Sequence, residues 1–236
     1  MRDYKAHYVR SLFSRIPIEY DSLLGLLAFG QDRRWRALVV ERADPDPDGL
    51  TLDVATGTGL VASEFAELMR PNGLVVGVDL TLSMLQTAKG RMKTRGLHDR
   101  TAWVLSRAEN LPFKEGCFAS ASISLALRNV SDAAKTLAEM ARVTRRGGVV
   151  VSLDFARPRN RLFRLFYYDY LLGLFPLVGR MVSKAWAATL SYLGRSILRS
   201  RTGEQIAELM SKQGLEDAKS VGLTMGVVCL VYGRKR

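Results

Sequence analysis

The stretch LDVATGTGL, residues 52–60, sets Asp53 ahead of Gly57 and Gly59 in the spacing DxxxGxG. Glycines let a backbone turn tightly and approach a ligand closely, and a helix starting just after them offers unpaired N–H groups. Asp79 follows 20 residues after Gly59, where a strand-end carboxylate can hold ribose hydroxyls. Gly57, Gly59 and Ala62 also satisfy the GxGxxA dinucleotide fingerprint, so the loop alone admits a nicotinamide cofactor. Asp53 separates the two readings. A carboxylate just before the loop suits a ligand carrying an amino group and a sulfonium, whereas it would repel a pyrophosphate. A second candidate is ISLALRNVSD, residues 123–132, an apolar run that stops at Arg128 and Asn129. A strand ending there in an open α/β sheet would turn its last residues toward the ligand crevice.

The elements that must position these residues alternate between short β-rich runs and helical patterns, as in a parallel sheet built from βαβ units. Strands are expected at Leu50–Ala55, Leu74–Asp79, Thr101–Leu105, Ala119–Leu127 and Val149–Phe155, with helices at Leu60–Met69, Leu82–Arg95 and Ala133–Thr144. The last of these helices should stop at Arg145-Arg146-Gly147-Gly148. After a helix at Glu204–Lys212, the runs Ala218–Leu223 and Gly226–Tyr232 leave almost no room between them and read as a hairpin. A mostly parallel sheet finished by an antiparallel hairpin is the layout of Rossmann-like class I S-adenosylmethionine methyltransferases. A dinucleotide-binding domain would continue with a crossover helix.

At 236 residues and 47% hydrophobic, the chain reads as one α/β domain. It divides into an N-terminal helical cap (1–48), a cofactor-binding core (49–156), a basic, aromatic insertion after the fifth strand (157–200), and a C-terminal helix and hairpin (201–236). Cys117 and Cys229 form no CxxC pair, so neither a disulfide framework nor a metal site is indicated. The start MRDYKAHYVR has no apolar run behind it and does not read as a secretory signal, which points to the cytoplasm. Lys and Arg outnumber Asp and Glu by 35 to 23, a net charge of +12, which favours nucleic acid or an acidic membrane surface as partner.

Beyond the glycine loop, the chain closely resembles the UbiE/COQ5 family of quinone C-methyltransferases. IPIEYD and FGQDRRWR are similar to the family's N-terminal blocks, AENLPF and ALRNVSD to its central ones, and GGVVVSLDFARP to its fifth-strand block. YYDY…FPLVG…SYLGRSI and LTMGVV resemble its substrate-region and C-terminal blocks, so the likeness covers nearly all of residues 13–233. It implies a polyprenylated quinol as substrate, demethylmenaquinol ahead of the benzoquinol precursor of ubiquinone. S-adenosylmethionine would supply the methyl for a ring carbon. The cofactor set is then Asp53, Thr56, Gly57, Thr58, Gly59, Asp79, Leu80, Arg107, Ala108 and Ser124, with Tyr20, Asn129 and Tyr168 for the substrate. Arg107 departs from the pattern, since the family commonly has Asn or Asp there and Arg is donor-only. Arg128 becomes the candidate catalytic residue: a permanent cation beside the methyl group can stabilise the quinol phenolate as it forms.

Residues 157–184 mix Leu, Phe and Tyr with Arg157, Arg159, Arg161, Arg164, Arg180 and Lys184. Arg164, Asp169 and Pro176 interrupt any apolar run of about 18 residues, which argues against a membrane span. Such a segment suits a lid over the site, a peripheral contact with the inner face of an anionic membrane, or both. The competing classes are a methyltransferase of another lipophilic molecule, a nucleic-acid methyltransferase, and a binding protein that has lost turnover. Against nucleic acid, the fourth strand ends in ALRNV and not in a D/N-PPY-type site. The sequence admits an oligomer.

Overall fold

Residues of opposite parity on one strand feed opposite faces of a sheet, and the fifth strand shows how this chain uses the rule. Val149, Val151, Leu153 and Phe155 belong to one buried cluster, while Val150 faces another. In the computed structural model, which describes residues 2–13, 21, 25, 28–158 and 160–236, this sheet has seven strands. They are β1 (Leu50–Val54), β2 (Leu74–Asp79), β3 (Thr101–Leu105), β4 (Phe118–Ser124), β5 (Thr144–Phe155), β6 (Leu215–Leu223) and β7 (Val228–Lys235). Their order is β3-β2-β1-β4-β5-β7-β6. β1 to β5 pair in parallel, and β7 pairs antiparallel with both β5 and β6, so the expected closing hairpin is present.

Helices cover both faces. The cap supplies α1 (Arg2–Phe13) and α2 (Gln31–Ala43); α3 (Leu60–Leu68), α4 (Leu82–Thr94) and α5 (Ala133–Val143) are the crossovers; α9 (Gly203–Lys212) precedes the hairpin. One face buries Trp35, Val39, Phe65 and Met69, the other Leu137, Met140, Ile206 and Met210. α5 starts where Asp132 accepts from the Lys135 N–H, and α9 begins with a capping box between Thr202 and Gln205. The insertion holds α6 (Arg161–Asp169), a π turn at Tyr170–Leu174, α7 (Phe175–Val182) and α8 (Lys184–Leu198). No helix among the described residues is long and apolar enough to cross a membrane.

Three boundaries differ from the sequence expectation. β4 stops at Ser124, three residues before Leu127, because Leu125 turns to φ 55° and leaves the ladder. β5 begins at Thr144, so the Arg-Arg-Gly-Gly segment is a bulged strand start, with Gly147 at φ 76°, and not a stop. The hairpin strands are longer than their apolar runs, since both extend into polar, solvent-facing residues.

β2 and β3 approach through a glycine. A Cβ on Gly77 would stand 2.4 Å from the Trp103 ring and 3.1 Å from the Thr56 methyl. The indole lies along β2 beneath the glycine loop, and a Cβ on Gly59 would be 3.3 Å from it. Gly77→Ala should therefore destabilise the fold by about 1–3 kcal/mol through overpacking, read by urea unfolding of the tryptophan fluorescence. An unchanged midpoint would mean the indole has room to move.

Candidate functional site

Strand order reverses between β1 and β4, and in such sheets ligands bind outside the strand ends at that point. A pocket opens there. β1 delivers Asp53, whose side chain is buried between two hydroxyls: Thr56 Oγ donates to one carboxylate oxygen at 2.6 Å and Ser122 Oγ to the other at 2.7 Å. The chain then turns sharply, with Ala55 at φ 52° and Gly57 at φ 57°. Positive φ at a non-glycine residue costs energy and is found where surrounding structure enforces it, commonly at functional sites. Gly59, at φ 78°, begins α3; it lies beneath the loop against Ala88 and does not line the pocket.

Asp79 ends β2 opposite this loop. Its carboxylate accepts from the Gly57 N–H at 2.9 Å and the Thr81 N–H at 2.8 Å, which fixes the loop against the neighbouring strand. Burial pushes the Asp53 carboxyl up to about 6, against the lowering pull of Thr56 and Ser122 and with a further push from Asp79. Burial also raises Asp79, opposed chiefly by the Gly57 N–H. Each carboxyl is thus held closer to neutrality than in water, a condition that a bound cation reverses.

Leu80, Ser106, Arg107, Ala108 and Ser124 line the rest of the crevice with Asn129 and Val130. Arg107 is directed to the Ser131 hydroxyl at 3.4 Å and lies 3.6 Å from the Glu109 carboxylate, which itself accepts from the Ser131 N–H at 2.7 Å. This joins the loop after β3 to the turn after β4. The Ser124 hydroxyl is buried at the pocket wall with no hydrogen-bond partner among the described residues.

The cap brings residues that spacing did not single out. Asp21 accepts from the Thr58 hydroxyl at 2.8 Å and pairs with Arg91, whose Nε donates to the Thr58 carbonyl at 3.0 Å. Asp32, Trp35 and Arg36 line the same pocket, with Arg36 paired to both Asp32 and Glu64. The signal for Asp21 was its place in IPIEYD. Asp32 and Arg36 sit i,i+4 on α2 and read as an ordinary surface pair. Tyr20 lies outside the described residues, and Tyr168 packs against the core of the insertion beside Tyr167 and does not line the pocket.

Arg128 is committed to protein partners. Its side chain is 4% exposed and is ion-paired with Asp154 on β5, which is 2% exposed. Its backbone N–H donates to the other Asp154 oxygen at 2.8 Å, Nη1 to the Leu125 carbonyl at 2.6 Å, and Nε to Ser196 Oγ at 3.3 Å. The guanidinium carbon stands 5.0 Å from the centre of the Phe155 ring. Arg128 does not line the cofactor pocket, although its neighbour Asn129 does.

These residues fit S-adenosylmethionine: two carboxylates for its cationic and ribose groups, a tight backbone loop, and an unsatisfied serine hydroxyl at the wall. An ionised Asp53 favours a bound cation, so affinity should fall as pH drops through about 6, where Asp53 takes up a proton. Asp53→Asn should weaken binding about tenfold or more at neutral pH and flatten this dependence. Calorimetry across that range is the measurement; a constant wild-type affinity would remove Asp53 from cation binding.

Comparison with known proteins agrees with this geometry. Among solved structures, a Thermotoga maritima protein described as a SAM-dependent methyltransferase, possible histamine N-methyltransferase, superposes with TM-score 0.64 at 19% identity, covering 96% of this chain and 99% of that one. An Aquifex aeolicus SAM-dependent methyltransferase gives 0.62 at 15% identity over 84% and 88%. Both share the fold. Among curated relatives, the ubiquinone/menaquinone biosynthesis C-methyltransferase UbiE of Geobacter sulfurreducens is 36% identical over 98% of this chain and 90% of its own length. The demethylmenaquinone methyltransferase of Roseiflexus castenholzii is 37% identical over 99% and 96%. The ubiE/COQ5 methyltransferase family model matches residues 1–235, and the chain belongs to that family.

Proposed function

We propose that this S-adenosylmethionine-dependent methyltransferase methylates a ring carbon of a polyprenylated quinol in quinone biosynthesis, with demethylmenaquinol as its substrate. The observation that carries the reading is that Asn129 and Val130, from the ALRNVSD turn, close the same pocket as Asp53 and Asp79. The names borne by the Geobacter and Roseiflexus relatives support a quinone ring, and the second supports the demethylmenaquinone side.

S-adenosylmethionine, when bound, supplies an electrophilic methyl on a sulfonium. The chain's part is to hold that group and present the ring. Asp53 and Asp79, ionised, anchor cationic and ribose groups, and the Ser124 hydroxyl is available to either ligand. The Asn129 amide oxygen accepts from the Tyr192 hydroxyl at 3.1 Å, which leaves its NH2 to donate to a quinol oxygen. Asp53 and Asp79 would hold the cofactor so that its methyl is supplied to the ring carbon, and Asn129 would hold the quinol oxygen while the phenolic proton, and afterwards the proton on that carbon, pass to water. Arg128 serves as a positioning residue: its bonds to Leu125, Asp154 and Ser196 hold the turn that carries Asn129.

A methylation assay on short-tailed substrates should give demethylmenaquinol a kcat/KM at least about tenfold above that of the benzoquinol precursor, roughly 1.4 kcal/mol in the transition state. Equal or reversed values would overturn the substrate assignment. Arg128→Ala should cost about 3–5 kcal/mol of stability by stranding Asp154 and lower kcat more than cofactor affinity. Its residual turnover should depend little on phenol pKa if the role is positioning.

The insertion supports contact with an anionic membrane surface. α6 and α7 expose Leu162, Leu165, Phe166 (74%), Leu177 and Met181 (81%), flanked by Arg157, Arg161, Arg164, Arg180 and Lys184, none of them ion-paired among the described residues. Arg159 lies outside the described residues. Apolar side chains beside cations suit the interface of an anionic bilayer, where a polyprenyl tail resides. Charge reversal at Arg161 and Arg164 should release the protein from anionic liposomes and leave methylation of a short-tailed quinol unchanged; unaltered partition would exclude this face.

A further inference from the structure

A second cavity, of about 400 Å³, lies on the other side of the turn after β4 and shares no lining residue with the cofactor pocket. Leu127 and Arg128 form its inner wall with Asp154 and Phe155 of β5. The end of α8 and the link to α9 supply Arg195, Ser196, Arg199, Ser200 and Arg201.

Charge on this wall is one-sided. Four guanidinium groups line the cavity against a single carboxylate, Asp154, and that carboxylate is taken by Arg128. Arg195, Arg199 and Arg201 make no ion pair or side-chain hydrogen bond with any described residue, and all three are exposed at the mouth. Solvated arginines alone would mean little. Ser200 is a separate observation: it is 3% exposed, it lines the cavity, and its hydroxyl is buried without a hydrogen-bond partner among the described residues. Buried hydroxyls are ordinarily satisfied, so an acceptor is missing where three uncompensated cations gather. α9 starts at Gly203 beside the cavity, with Ile206 of its first turn in the wall.

We propose that this cavity is a binding site for a phosphate group, held by Arg195, Arg199 and Arg201 at the mouth and by the Ser200 hydroxyl within. Guanidinium forks match phosphate oxygens in pairs, and three such forks with a hydroxyl exceed what the two oxygens of a carboxylate can accept in an uncrowded geometry. The phosphate belongs either to a soluble phosphate ester or to the headgroup of a lipid at the apolar face of α6 and α7. The site stands whichever quinol is methylated.

The test is calorimetric titration of the purified chain with inorganic phosphate at constant ionic strength, with chloride as reference. Arg195→Gln with Arg199→Gln should weaken phosphate binding about tenfold or more and Ser200→Ala several-fold, while S-adenosylmethionine affinity, which shows that each variant is folded, stays unchanged. Phosphate binding no tighter than chloride, or equal in wild type and the double variant, overturns the site. Co-sedimentation with phosphatidylcholine vesicles, with and without phosphatidic acid, identifies the source. Loss of phosphatidic-acid-dependent partition in the double variant, together with loss of phosphate binding, supports a headgroup. Loss of phosphate binding alone supports a soluble phosphate ester.

Discussion

The ion pair between Arg128 and Asp154 holds the strand ends from which the site is built. It joins the turn after β4 to the end of β5, and Asp154 also accepts from the backbone N–H of Arg128 and Phe155. Two charges this deeply buried repay their desolvation only when their remaining hydrogen-bonding groups are met. Leu125, Ser196 and the Phe155 ring contribute to that. Because Leu125 is held at positive φ with its N–H donating to the Leu153 carbonyl at 2.6 Å, the turn has little freedom, and Asn129 and Val130 are presented to the pocket as a unit.

On the other side of the strand reversal the same problem is solved with hydroxyls. Among the described residues Asp53 has no ion-pair partner; Thr56 and Ser122 are its hydrogen-bond partners, and burial raises its pKa. An unpaired carboxylate in a protected crevice is costly for the free protein and favourable once a cation arrives. A structural charge pair thus stands on one side of the β4 turn and a hydroxyl-bonded carboxylate on the other, within a chain whose net charge is +12.

The insertion reaches from this site to an apolar, basic face of the protein. α8 reaches the site through Tyr192, whose hydroxyl meets Asn129 and whose ring stands edge-on to Tyr8 of α1 at 5.6 Å. Farther out, α6 and α7 turn Leu and Phe residues to solvent that an isolated soluble domain would ordinarily bury. Polar ordering close to the reacting atoms and an apolar, basic exterior farther away suit a lipophilic substrate.

The sequence by itself determined the sheet, its closing hairpin and the glycine loop with Asp53 and Asp79, because these rest on local periodicity and on spacings that survive unchanged in the fold. Its limits lie where a residue's role depends on a partner distant along the chain. Arg128 read as an open strand-end cation facing a substrate, yet Asp154 is 26 residues away and Ser196 is 68 away, and no spacing rule links them. Asp21 reaches Thr58, 37 residues away, and Arg91, 70 away, for the same reason. Gly59, conspicuous in the motif, packs under the loop, while Asp32 and Arg36, which look like an ordinary helix pair, line the pocket. Charge and type are local properties of a side chain, whereas burial and pairing are set by which strands and helices meet. Tertiary structure alone therefore decided which cations are paired within the fold and which remain available to a ligand.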